Sequence, residues 1–250
     1  MAKTRTMIMP GWSLQRQDHG EMGNWAVYTL GAILGQVGLD GGGFGASYHG
    51  DGNVGSTERL GVTIPGITSG KPVKLEKWAH VDTAKYTIPA AKISDMLLNP
   101  GKVIDFAGNK HTYTDIKLIY WAGGNPMHQH QDRNLMIKAW QKPQVIINQD
   151  PYWTASSRME DIVLPATTEI ERDDISYICS ESKTGILALK KGIEPLGESK
   201  SDYEIFSDLA EKFGKKAEFT EGKDAKGWAK EFYEKGLEKA VEKGIEMPSF

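Results

Sequence analysis

An α/β fold built on parallel sheets is what this chain of 250 residues predicts, and three observations carry it. Residues 117–121 form a short strand-like run stopped by Gly123-Gly124-Asn125-Pro126. Asp132 then opens a helical pattern in which Leu135 and Ala139, and Met136 and Trp140, recur at i,i+4. After Pro143 a second run, Val145-Ile146-Ile147, halts at Asn148-Gln149-Asp150-Pro151. Strand, helix and strand in that order make a βαβ unit, which implies parallel pairing with a right-handed crossover. The expected architecture is three-layer α/β/α, with dinucleotide-binding-like domains on parallel sheets. Residues 1–65 would complete one such domain and residues 66–250 would build most of a second. In sheets of this kind ligands sit beyond the carboxyl ends of the strands. Here those ends carry Gly123, Gly124, Asn125, His128, Gln129, Gln149 and Asp150. The adjacent glycines permit positive φ and let backbone N–H groups approach a ligand closely.

The other elements follow in order. Residues 6–9 read as a strand ended by Pro10-Gly11, and a polar run from Trp12 to Glu21 follows. Trp12, between Gly11 and polar neighbours, suits a wall facing a ligand. From 24 to 37 the pattern is helical, with Trp25, Tyr28, Leu30, Ile33, Leu34 and Val37 on an apolar surface and Gly38 as C-cap. The cluster Gly41-Gly42-Gly43-Phe44-Gly45 follows a helix and lacks Gly-Lys-Ser/Thr, so it is a close-packed turn rather than a phosphate loop. Residues 46–72 form a glycine- and proline-dotted loop suited to a domain boundary. A helix over 88–98 and two short strands around Ala107-Gly108-Asn109 precede the βαβ unit. Beyond it come a hydroxyl-rich turn at 151–157, a brief buried strand at 162–164 and a strand at 185–190. Ser201-x-x-Glu204 is a capping box opening a helix that runs through Phe213. Residues 225–243 form a lysine- and glutamate-rich amphipathic helix with Trp228, Phe232, Leu237 and Val241 inward.

Bulk properties narrow the function. A formal charge of −3, with no block of Lys or Arg, argues against nucleic acid as a partner. No apolar run reaches the ~20 residues of a membrane span. Residues 1–12 lack the apolar core and cleavage pattern of a signal peptide. A strand starting almost at residue 1, and no closing element after the last helix, suggest a piece of a longer polypeptide. Cys179, the single cysteine, has acidic neighbours and reads as a passive thiol. Glu169, Glu171, Asp173 and Asp174 read as backbone caps that orient the loop after Pro165. His128, His130 and Asp132 have the residue types of a two-histidine, one-carboxylate metal site, which leaves a metal hydrolase as one alternative. A stand-alone guanine-nucleotide-binding module is another.

Three segments, GWSLQRQDHGE, WAGGNPMHQHQDRN and TASSRMEDIVLPATTEIE, together resemble the dimethyl sulfoxide reductase family of molybdenum oxidoreductases. The branch is that of the dimethyl sulfoxide, trimethylamine N-oxide and biotin sulfoxide reductases. The third segment departs from the family pattern at Glu160, where a small residue is usual. The resemblance implies a cofactor of two molybdopterin guanine dinucleotides around one molybdenum. It also implies an S-oxide or N-oxide substrate reduced by two electrons, and a cytochrome or membrane quinol-linked electron donor. A periplasmic location is implied too, or a cytoplasmic one for the biotin sulfoxide branch. By the same resemblance Trp12, Ser13 and Arg16 belong to one cofactor-contacting loop, Asn125 and Gln129 to a second, and Gln149 with Asp150 to a third. Asp150 is the expected reader of guanine. The metal-ligating side chain is expected upstream of the segment present here, which alone would be inactive.

Overall fold

The computed structural model describes residues 3–11, 13–14, 19–45, 64, 88–106, 108–178 and 185–250. The chain forms two compact units and passes back and forth between them. Unit 1 comprises Met1–Asp51, Thr87–Lys117 and Asn125–Gln144, and unit 2 comprises Gly52–Tyr86, Leu118–Gly124 and Val145–Phe250.

In unit 1, β1 (Met7–Ile8) pairs in parallel with β2 (Gly43–Phe44), and α1 (Gly20–Ile33) connects them. The glycine cluster is a close-packed turn, as expected. Gly43 has φ +85°, and a Cβ there would lie 3.0 Å from Val37 Cα. The Gln36 amide fixes the start of β1, with Thr6 N donating to its Oε1 (2.7 Å) and its Nε2 donating to Thr4 O (2.8 Å). Helix α1 starts and stops four residues earlier than the periodicity predicts. Its apolar surface also stays largely exposed, with Trp25 at 61% and Ile33 at 76%. Two strands of two residues each offer too little face to cover it; among the described residues Tyr28 meets Phe44 in a tilted ring contact, at 4.6 Å between ring centroids.

The rest of unit 1 is better packed. Helix α2 (Ile93–Leu98) follows a 3-10 turn, Ala90–Lys92. The hairpin β3 (Val103–Phe106) and β4 (Asn109–Thr112) is antiparallel. Helices α3 (Pro126–Gln129) and α4 (Arg133–Ala139) lie in the crossover segment. Asp132 caps α4 as predicted, accepting from Leu135 N at 3.0 Å, though from a left-handed backbone with φ 48°. Leu97, Tyr113, Met127, Met136, Ala139 and Trp140 are buried. Tyr113 Oη donates to Asp95 Oδ2 (2.8 Å), and Lys102 Nζ reaches both oxygens of that carboxylate. Burial raises the Asp95 pKa, but the bonds from Lys102 and Tyr113 outweigh it and hold the carboxyl below its usual range. Burial and that same carboxylate push the Tyr113 phenol up to about 12.

Unit 2 holds a parallel sheet in the order β5 (Leu118–Ala122), β6 (Val145–Asp150), β7 (Ile162–Pro165). Parallel pairing of β5 with β6 agrees with the predicted βαβ unit. β5 and β7 were expected to be buried; both are half-exposed, and only β6, paired on both sides, is a true interior strand. The expected strand at 185–190 is β9 (Gly185–Leu189), antiparallel to β8 (Asp174–Ile178), an element the acidic run had obscured. Helix α5 (Asp202–Lys212) opens with the predicted capping box, and α6 (Lys216–Thr220) and α7 (Ala225–Glu242) follow. In α7 the inward face is Tyr233, Gly236 and Ala240, whereas Val241 is 71% exposed, contrary to expectation. Gly236 determines that face, because it admits Ile64 so closely that a Cβ would lie 2.9 Å from Ile64 Cγ1.

Ile64, Tyr177 and Tyr233 form a core with Ile175, Ile186, Phe232 and Met247 around them. Tyr177 Oη accepts from Ile64 N and donates to Ile64 O. Ile64 is fully buried, so Ile64→Ala should remove about 2–5 kcal/mol of stability, read as a lower urea midpoint. In unit 1, Tyr113→Phe should cost about 1–2 kcal/mol in the same measurement, because it strips a donor from the Asp95 carboxylate while keeping the ring.

Candidate functional site

The carboxyl edge of the parallel sheet in unit 2 is where chemistry-bearing groups gather. Adjacent strand ends place three turns there: Gly123-Gly124 after β5, Asp150 to Trp153 after β6, and Ala166 to Thr168 after β7. Gly123 and Gly124 have φ +74° and +87°, the left-handed conformation that the double glycine was expected to supply. Gly123 N donates to Gln149 O (3.0 Å), which closes the turn onto β6. Among the described residues Gly124 N–H has no acceptor, so it is the amide of this turn left to meet a ligand.

Gln149 is 1% exposed, and both ends of its amide are engaged. Its Oε1 accepts from Tyr120 Oη on β5 (2.7 Å), and its Nε2 donates to Asp202 Oδ1 at the first turn of α5. Burial, and then the Asp202 charge, raise the Tyr120 pKa and keep that phenol a donor. Gln149 is therefore a strut that sets the tip of β6. Asp150, next to it, is 7% exposed. One carboxylate oxygen, Oδ1, accepts from Tyr152 N (2.8 Å) in a local turn. The other accepts nothing among the described residues and remains able to take donors from outside.

The hydroxyl-rich turn that follows is bonded internally. Asn148 Nδ2 donates to Ser157 Oγ (2.9 Å), and Ser157 Oγ to Tyr152 O (3.1 Å). Thr154 Oγ1 accepts from Ser157 N (3.2 Å). Asp161 ties the start of β7 to β6 by accepting from Ile146 N (2.8 Å). Thr168 and Glu171 form a second capping box, and Glu171 also accepts from Leu196 N (2.8 Å); Asp173 accepts from Lys191 N and Asp174 from Ile175 N, so these three of the acids after Pro165 bind backbone amides as expected. Those bonds from the Thr168 hydroxyl and amide and from Leu196 hold the Glu171 carboxyl below its ordinary range.

Three participants escaped the sequence reading: Asn148, Asp202 and Thr167. Thr167 is 4% exposed at the β7 end and its hydroxyl has no partner among the described residues. Its place two residues after the Leu164-Pro165 stop was the one available signal. Glu160 did stand out, and the structure encloses both of its carboxylate oxygens with no well-formed hydrogen bond among the described residues.

The other predicted residues are distributed as follows. Trp12, Arg16 and Cys179 lie outside the described residues. In unit 1, Ser13 is exposed after the β1 end. Asn125 and Gln129 come together, Asn125 N donating to Gln129 Oε1 at 3.3 Å across the single turn of α3. The metal-hydrolase alternative gains no support: Asp132 is engaged as a cap, and among the described residues no three His, Cys, Asp or Glu side chains are grouped to hold a metal ion.

The donor and acceptor pattern at the sheet edge is specific. An acidic tip of Asp150 and Asp202 suits a ligand group that presents N–H donors, while a left-handed double-glycine turn with an open amide suits an anion. A nucleotide carries both. The residues present thus suit a nucleotide-bearing ligand in chemical type.

The sequence model of molybdopterin oxidoreductases matches residues 1–212. The dimethyl sulfoxide/trimethylamine N-oxide reductase of Cereibacter sphaeroides is 51% identical over 98% of this chain and 30% of its own length. The trimethylamine-N-oxide reductase of Haemophilus influenzae is 45% identical over 100% of this chain and 30% of its own. The biotin sulfoxide reductase of Cereibacter sphaeroides is 43% identical over 100% and 32%. The chain spans about 30% of the length of these curated relatives. Among solved structures, acetylene hydratase from Pelobacter acetylenicus is 22% identical over 45% of this chain and 15% of its own, with a TM-score of 0.39. With the family model matched over residues 1–212, most of its length, this chain belongs to the molybdopterin oxidoreductases.

Proposed function

We propose that this chain is a cofactor-binding portion of a molybdenum-dependent S-oxide or N-oxide reductase, and that its sheet edge in unit 2 grips a guanine dinucleotide. The observation that carries the reading is Asp150: a nearly buried carboxylate at the end of the central strand, with one oxygen open to external donors. Guanine presents two donors side by side, N1–H and the 2-amino group, and a carboxylate is their natural acceptor. Adenine presents an acceptor at N1 instead, so the same carboxylate repels it.

The open Gly124 amide would receive a pyrophosphate oxygen. Gln149 would act through position, holding Asp150 by its bonds to Tyr120 and Asp202. Ser13, Asn125 and Gln129, with Trp12 and Arg16, would contact the remaining cofactor surface as the family resemblance implies. The group so held is the bis(molybdopterin guanine dinucleotide) form of molybdenum, which supplies two-electron oxygen-atom chemistry when bound. Overall, the oxide of the substrate would take up two electrons and two protons and leave as water. The relatives are named for dimethyl sulfoxide, trimethylamine N-oxide and biotin sulfoxide, which supports that substrate class. The same reading includes residues 1–65 and 66–250 as parts of two three-layer cofactor domains, a cytochrome or quinol-linked electron donor and a periplasmic setting. No helix among the described residues is long and apolar enough to cross a membrane.

Calorimetric titration of the chain with guanosine diphosphate, and with adenosine diphosphate as control, tests the reading. The guanine nucleotide should bind preferentially, and Asp150→Asn should weaken it by roughly 10- to 100-fold without weakening the adenine nucleotide. Equal binding of both nucleotides, or no binding of either, would overturn the assignment.

A further inference from the structure

Glu160 is placed where a carboxylate is least welcome. It follows the 3-10 turn Ser157–Met159 in an extended conformation, and the anchoring of Asp161 on Ile146 N fixes the backbone beside it. Its side chain lies against β6, with Asn148 and Asp150 as the neighbours that act on it. Glu160 Oε1, Glu160 Oε2 and Asn148 Oδ1 are all enclosed, and among the described residues no well-formed hydrogen bond reaches them; the Asn148 amide is close enough to favour the Glu160 anion but does not offset its burial. The Asn148 amide nitrogen is engaged with Ser157 Oγ. Three acceptor oxygens thus share the end of one strand. A buried acceptor without a donor is destabilising, the more so when charged. A proton on Glu160 relieves this directly, because a carboxylic acid carries its own O–H donor and no charge.

We infer that Glu160 is a proton-holding carboxyl that regulates the Asp150 tip: protonated, it leaves the tip with the charges of Asp150 and Asp202 alone, and ionised, it adds a further one beside Asp150 that repels an anionic nucleotide. This rests on the nucleotide reading of Asp150 and adds pH control to it. The charged groups around Glu160 are few. On β6 only Asp150 bears a charge toward it; in its own segment Asp161 is turned to the Ile146 amide, and Arg158 is exposed. Burial raises the Glu160 pKa from 4.5 to about 7, with the Asn148 amide opposing and the Asp150 charge reinforcing the rise. The folded-state value lies above the unfolded one, so folding takes up a proton. The stability tied to this group is whole below about pH 4.5, falls as pH rises toward about 7, and is flat beyond.

The test compares the chain with Glu160→Gln, a neutral side chain of the same shape, and with Glu160→Ala, which removes the group. Melting temperatures between about pH 4.5 and 8.5 should show both variants gaining on the original chain up to about pH 7 and then running parallel to it. In metal-free titrations with guanosine diphosphate, the dissociation constant of the original chain relative to Glu160→Gln should rise roughly three- to tenfold as pH passes through 7. Taking the ratio cancels titration of the nucleotide itself. A melting difference independent of pH overturns the proton-holding role. A melting difference with the expected pH dependence but a flat affinity ratio overturns the regulation and leaves the nucleotide site standing. Absence of binding by all three proteins at every pH sinks the nucleotide reading, and the regulation with it.

Discussion

The buried amide of Gln149 is the interaction on which the candidate site depends. It spans three elements of unit 2, accepting a hydrogen bond from Tyr120 on β5, donating one to Asp202 at the head of α5, and accepting Gly123 N–H on its backbone carbonyl. An enclosed amide left half-satisfied would cost more than each bond returns, so all three partners are held together or none is. That constraint fixes where the β5 turn ends, where α5 begins and how far Asp150 projects. The site is set by a side chain bonded within the fold.

Local signals were legible where the chemistry is local. Asp132 as a cap, the Ser201–Glu204 box, the φ of Gly123 and Gly124 and the β5–β6 pairing all follow from residue types within a few positions of each other. What escaped the sequence depends on partners far along the chain. Val241 looks apolar and well placed, yet α7 turns Gly236 inward because Ile64 fills the space a side chain would need. The apolar surface of α1 reads as a core face, but the strands beside it are too short to cover it. Gln149 looked like a ligand contact because it sits at a strand end; only Tyr120 and Asp202, remote in sequence, reveal it as a strut.

The family resemblance assigns cofactor loops more finely than periodicity can, while the physical reading separates the residues within them. Of the pair Gln149-Asp150, one residue looks inward and the other outward, a distinction made by burial and hydrogen bonds and not by residue type. Glu160 shows the converse. A departure from the usual small side chain places an ionisable group beside Asp150, within a cluster of acceptors.

The clasp of Tyr177 on both backbone groups of Ile64 joins positions 113 residues apart. Closing so long a loop costs entropy that grows only slowly with length, but it delays the rewarding contacts until distant segments meet. Tyr233, on α7, completes the same cluster. During synthesis, therefore, the hydrophobic centre of unit 2 stays open until nearly the whole of this stretch has left the ribosome, and its earlier strands must wait, exposed, for the last helix to arrive.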